Sequence, residues 1–345
     1  MVKIKSLQKR VASLSKWIAL IALMSIIVGT PILVGCKKPP TTFSGKIGQL
    51  EWHLEIETGT LTISGEGEMP DKFNDIDYPW NPYAHTIINV IVNGATTIGG
   101  RAFFYCDALV SVDMPKVTTI GSGAFQGCTA LVSVSMPNVT TIGMGVFSGC
   151  TALTSVEMPN VTTIGEEAFE YCTSLVSVSM PNVTTIGFAA FYDCTALVSV
   201  EMPNVTTIDG MFFSFKGAFG YCTSLVSVSM PNVITIGFAA FYNCAALTSV
   251  AMPSVTTIGW YAFRDCNNLV SVTLSNRLGY VRDRAFAGCI SLEHIYSYCA
   301  APPKCEDEVF YDVPVSTCIL HVPAVSVASY RSAVGWRAFT NIVEL

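Results

Sequence analysis

The chain has 345 residues, with Lys+Arg 19 against Asp+Glu 25, a net charge of −6, and 51% hydrophobic against 13% charged residues. Disordered chains are poor in apolar residues and rich in charge, so disorder is excluded for most of the length. A weakly charged, acidic body also lacks the clustered Lys and Arg that phosphate contacts require, which excludes nucleic acid as a partner.

The first 35 residues hold Lys3, Lys5, Lys9, Arg10 and Lys16 with no Asp or Glu, and residues 17–35 are largely apolar. A basic start, an apolar core and small residues before the cut site describe a secretory signal over residues 1–35. Its ending, Leu33-Val34-Gly35-Cys36, resembles a bacterial lipobox. That resemblance implies that Cys36 becomes the lipidated first residue, with residues 36–46 as a tether beginning Lys37-Lys38-Pro39-Pro40. Acyl chains then hold the protein at a membrane, each buried CH₂ contributing ~0.8 kcal/mol. The competing reading of the same stretch is a membrane-spanning anchor, since ~20 apolar residues cross a bilayer. Both place the body in the cell envelope; the lipid reading favours an outer membrane with the body exposed at the surface.

Leu50, Trp52, Leu54 and Ile56 alternate with polar residues, Thr58-Gly59 is a turn signal, and Leu61 and Ile63 alternate again. This pattern predicts a β-hairpin, within an N-terminal cap over residues 47–86 that offers Trp80 and Tyr83 as plugs for the first coil.

A repeat follows. Cys106, Cys128, Cys150, Cys172, Cys194, Cys222, Cys244, Cys266 and Cys289 are spaced by 22, 22, 22, 22, 28, 22, 22 and 23 residues, and a Phe stands three residues before each. A fixed period of this length predicts a solenoid, here nine coils over residues 87–298. In one unit, Val134 and Met136 alternate with Ser133 and Ser135, so this piece is a strand with one apolar face. Pro137 lacks an N–H and ends it. Val139, Thr140, Thr141 and Ile142 form a second, β-branched strand. Gly143 is expected to permit a sharp turn, and Val146-Phe147 and Cys150 close the coil in a short helical or 3-10 turn. Inward residues of successive coils then stack in columns.

This pattern, Leu-x-x-Val-x-Met-Pro-x-Val-Thr-x-Ile-Gly-x-x-Ala-Phe-x-x-Cys, resembles the BspA-type leucine-rich repeat. The resemblance implies a leucine-rich repeat solenoid of parallel strands stacked coil on coil and capped at both ends. It also implies a class of function, that of bacterial surface adhesins which engage host extracellular proteins or other cells. Two coils depart from the pattern: one carries six additional residues within 209–217, and one has an extra residue near 275–278 and lacks the Pro. Residues 299–345 are expected to form a C-terminal cap, with a strand over 319–322, a short helix over 325–334 and a last strand over 341–345.

Signals of chemistry are sparse. His53, His85, His294 and His321 are far apart in sequence, and metal-ligand pairs, Gly-x-Ser-x-Gly and a phosphate loop are absent. The expectation is a non-catalytic protein without a cofactor. Stacked cysteines have parallel Cβ vectors, which disfavours disulfides, so the repeat thiols are read as structural. Cys299, Cys305 and Cys318 lie outside that argument and leave room for one disulfide. Asn138, Asn160, Asn182 and Asn204 each begin Asn-Val-Thr, which matches a glycosylation sequon, but the preferred reading is a turn residue after Pro.

Two surfaces are candidates for contact. One is a column of outward serines, Ser111 through Ser271, beside Asp113, Glu157 and Glu201, read as solvated sheet or as a hydroxyl-rich platform. The other is an aromatic stripe of Phe188, Phe212, Phe213, Phe215, Phe238, Trp260 and Tyr261, with Tyr192 and Tyr242 one turn further on. Exposed aromatic patches mark binding sites for protein or glycan, unless the rings fold down over the coil edge. The leading expectation is therefore an adhesion protein. The competitors are a glycan-binding accessory lipoprotein of a polysaccharide uptake system and a structural envelope component.

Overall fold

The computed structural model describes residues 40–71, 78–211 and 215–345, and residues 41–345 form one compact unit. The signal segment, Cys36, Phe212 and Phe213 lie outside the described residues. The chain opens with an antiparallel meander of β1 (Thr42–Ile47), β2 (Leu50–Glu55) and β3 (Thr60–Glu68). Leu50, Trp52 and Leu54 point inward and their neighbours outward, as the period-2 pattern predicts. β1 occupies residues expected to end the tether. The reason is Phe43, which packs on the core with its ring 4.3 Å from Tyr83.

β4 (Asn89–Ile98) is the seam between cap and solenoid. It pairs in parallel with β3 along its length, then hands its first half to Ser111–Asp113 and its second half to Thr119–Ile120. From there each coil carries two short strands. The Thr-Ile strands form an unbroken parallel ladder in which each pairs with the equivalent pair one coil on, for example Thr141–Ile142 with Thr163–Ile164. The Ser-Val-Ser strands pair in shorter groups on a second side.

The third side is built from turns. Cys106 N–H donates to Phe103 O within the coil, a single turn of 3-10 type. Alternate N–H groups point onward instead: Arg101, Phe103 and Tyr105 donate to Ser122, Ala124 and Gln126 of the next coil. Two positions per coil adopt positive φ, such as Gly145 and Gly149, or Glu167 and Tyr171 in the following coil. These reversals stop a helix from propagating and aim the alternate N–H groups at the neighbour. The Ile-Gly glycine that recurs from coil to coil is not one of them. A Cβ on Gly165 would lie 2.8 Å from the Gly143 backbone, and one on Gly237 would lie 2.5 Å from Ile208 O. Its requirement is the close approach of two coils, not a left-handed turn.

Inside, the phenylalanines form a single file. Phe147 lies 5.5 Å from Phe125 and 5.4 Å from Phe169, stacked and nearly parallel to both. The six-residue insertion leaves the file intact, because Gly210 and Gly217 pair across its base and Phe191 stacks on Phe219 at 5.1 Å. Trp80 closes the near end, stacked on Phe103 and donating its indole N–H to Ala102 O. That carbonyl belongs to the first coil, where no earlier coil supplies a donor. At the far end the file runs one coil past residue 298: Phe310 stacks on Phe286 at 5.8 Å, with Cys305 in the place of the Ile and Val313 in the place of the Cys. Trp336 and Phe339 then meet Phe310 edge-on. The cap elements follow as Ile319–Val322, α1 (Val327–Ser332) and Asn341–Glu344.

Candidate functional site

The cysteine column is engaged in structure. Each thiol from Cys128 to Cys289 donates to the carbonyl of the Phe one coil earlier, as in Cys150 to Phe125 O at 3.2 Å. The twelve cysteines among the described residues are free, including Cys299, Cys305 and Cys318. Burial pushes Cys106, Cys150 and Cys266 from 9.0 up to about 12. The sign follows: an unfolded chain sheds these protons near pH 9 and the folded one near 12, so stability is full below pH 9 and declines above it. Thermal melts are expected to hold from pH 7 to 8.5 and to drop steeply by pH 10.5. Iodoacetamide at pH 8 should leave the repeat thiols unmodified until the chain unfolds, because the thiolate is the reactive form. Rapid native alkylation would contradict this account.

The Asn-Val-Thr asparagines are engaged too. The Asn138 amide donates to Pro115 O and the Asn160 amide to Pro137 O, each at 2.7 Å, and the series continues through Asn182, Asn204 and Asn232. They serve the turn after Pro, and they do so by tying each coil to the one before. The serine column is largely solvated, with isolated bonds such as Ser111 to Asn89, and in the row beside it Ser135 donates to Glu157.

The aromatic stripe divides. Phe238 folds down and is 4% exposed, and Phe188 is half-buried. Phe215 stands out at 58%, on the flank of the insertion. It meets Phe238 and Tyr261 at 5.4 and 5.9 Å, edge to face, and Phe238 meets Tyr261 at 5.5 Å. Trp260 is set apart by its own partners: its indole donates to Glu306 at 3.0 Å and Arg282 lies over its ring. Burial opposes ionisation of Glu306, but Arg282, the Asp283 N–H and Trp260 together hold it below the ordinary carboxylate range.

A second row runs beside the first: Tyr171, Tyr192, Tyr221 and Tyr242, with successive rings 6.0, 5.5 and 5.3 Å apart and crossed. Lys216, from the insertion, lies over Tyr171 and Tyr192 and pairs with Glu170. Arg264 lies over Tyr242 and Tyr261. Tyr171 and Tyr221 were not among the residues expected here. The signal was available, since both stand immediately before a repeat Cys. Among the described residues, no group of three or more His, Cys, Asp or Glu is gathered for a metal ion. No helix among them is long and apolar enough to cross a membrane.

The coil geometry has a counterpart among known repeats. The BspA type leucine rich repeat region matches residues 96–217 and 215–317, in six copies. The chain belongs to this family. The BspA-type match extends past residue 298 and so covers the coil of Phe310. Among solved structures, a leucine rich cell surface protein of Faecalibacterium prausnitzii is 24% identical, over 89% of this chain and 95% of its own, with a TM-score of 0.42. A leucine-rich repeat protein of Bacteroides ovatus is 22% identical, over 88% and 91%, with a TM-score of 0.48. A leucine-rich repeat protein of T. pallidum is 25% identical, over 59% and 91%, with a TM-score of 0.43. No curated protein matches.

Proposed function

We propose that this BspA-type chain is a non-catalytic binding protein, lipid-anchored through Cys36 at an outer membrane, that holds host extracellular proteins or other cells on its repeat surface. The observation that carries the reading is the cluster of Phe215, Phe238 and Tyr261. One ring stands exposed on two supported ones, with the Arg264 guanidinium over Tyr261. Aromatic anchors on a rigid scaffold bind with little loss of conformational freedom. The rings cross at 62–71°, which suits a partner with protruding side chains better than the flat face of a sugar.

The test is surface plasmon resonance of the full chain against a panel of extracellular-matrix proteins. Phe215→Ser is expected to weaken the observed binding at least tenfold, consistent with the loss of one well-packed aromatic anchor, without lowering the melting temperature. Undiminished binding would overturn the assignment of this patch. Binding to a glycan array that is lost in Trp260→Ala would favour the glycan-binding reading instead. Protease shaving of intact cells should remove the chain; protection would place it inside the envelope and end the adhesion reading.

A further inference from the structure

Four histidines scattered through the sequence give no metal-binding motif, yet the fold brings two of them together. His294 opens the strand His294–Ser297 and His321 lies in the next strand, Ile319–Val322. The two strands are parallel neighbours, with Tyr296 opposite His321 and His294 opposite Ile319, so the imidazoles lie on one diagonal. Their Nδ1 and Nε2 atoms are 3.2 Å apart. Both rings are half-buried.

We propose that His294 and His321 form an open, two-ligand site for a borderline divalent cation, Cu²⁺ or Zn²⁺. Two imidazole nitrogens bound at ~2.0–2.1 Å and separated by this distance subtend about 100° at the metal, between the square and tetrahedral angles. The N···N spacing fits, and a metal on both lone pairs sits off the N···N line, so the rings must turn out of the hydrogen-bonded geometry, exchanging one N–H···N bond for two metal bonds. The surroundings support the assignment. The Tyr296 ring lies 4.4 Å from His321 and nearly parallel, which fixes its plane. An open cavity of about 430 Å³ borders the His294 side of the pair, lined by His294, Ser291, Glu293 and Thr317. This gives space for water, or for a donor from a bound partner, to complete the coordination. The titratable groups facing the site are Glu293, His294, Tyr296 and His321.

The site joins the last strands of the repeat to the C-terminal cap, so an ion there clamps the two together. Calorimetry and electron paramagnetic resonance on the full chain with Cu²⁺ alone provide the test. One equivalent is expected, with hyperfine coupling to two nitrogens and a raised melting temperature, because a ligand that binds only the folded state stabilises it. His294→Asn and His321→Gln should each weaken this binding at least tenfold, while His85→Asn should leave it unchanged. Both substituted positions are outward-facing, and a melt of each metal-free variant will verify folding. Absence of a stoichiometric site, or Cu²⁺ binding that survives in the folded double variant, overturns the proposal and leaves only a hydrogen bond between two imidazoles. Zn²⁺ competition that displaces Cu²⁺ from the wild type would extend it to both ions.

Discussion

Phe147→Ala lowers stability by about 3–5 kcal/mol. The ring is fully buried and is held between Phe125 and Phe169 in the file that runs from Trp80 to Phe310. Truncation leaves a cavity that neither neighbour can fill, because each is pinned by the next ring along. In a repeat protein the stability is close to a sum of units and nearest-neighbour contacts. The loss is therefore expected to show as an early local transition, and hydrogen exchange should locate it in residues 125–169. Urea unfolding followed by circular dichroism measures the magnitude. A change below about 1 kcal/mol, typical of a site that can collapse or of surface, would mean that the file is not what holds the coils together.

Gly237→Val is expected to be of comparable size, for the opposite reason. Its Cβ would stand 2.5 Å from Ile208 O and 2.6 Å from Gly210 N, both backbone atoms of the preceding coil. Overpacking against backbone costs about 1–3 kcal/mol or more, since no side chain can rotate away. The coils would part at this point, and the Thr207–Ile208 to Thr235–Ile236 pairing would weaken. Gly279→Ala is the control, because its nearest neighbour would be 3.7 Å away and its φ is ordinary. Thermal melts of the two variants separate the explanations. Equal melting temperatures would mean that the glycine serves chain flexibility, and that close approach of the coils is not its role.

Much of this architecture was readable in the sequence. The Phe-x-x-Cys spacing located the file, because in a solenoid residues one period apart must be neighbours. Alternation of Val134 and Met136 with serines gave the inward face of a strand, and Leu50, Trp52 and Leu54 did the same for the cap. The tenth coil was hidden because Cys305 and Val313 replace the Ile and the Cys. The apolar volume is retained there while the letters change. The candidate surface was less legible. Phe188, Phe238, Trp260 and Tyr261 follow the same Ile-Gly turn in their coils, or its counterpart, yet one is buried, one is bound to Glu306 and two are partly covered. Pattern assigns the coil position of a residue; exposure depends on which neighbour happens to cover it.

What the amino-acid sequence determined alone was the repeat, its columns and its family, because periodic burial is written directly into periodic letters. What only the tertiary structure decided was which groups meet across coils: each thiol with a Phe carbonyl, each Asn with a Pro carbonyl, Phe215 with Tyr261, His294 with His321. The last two pairs lie 46 and 27 residues apart in sequence, outside the repeat register or across the cap, and only stacking closes that distance.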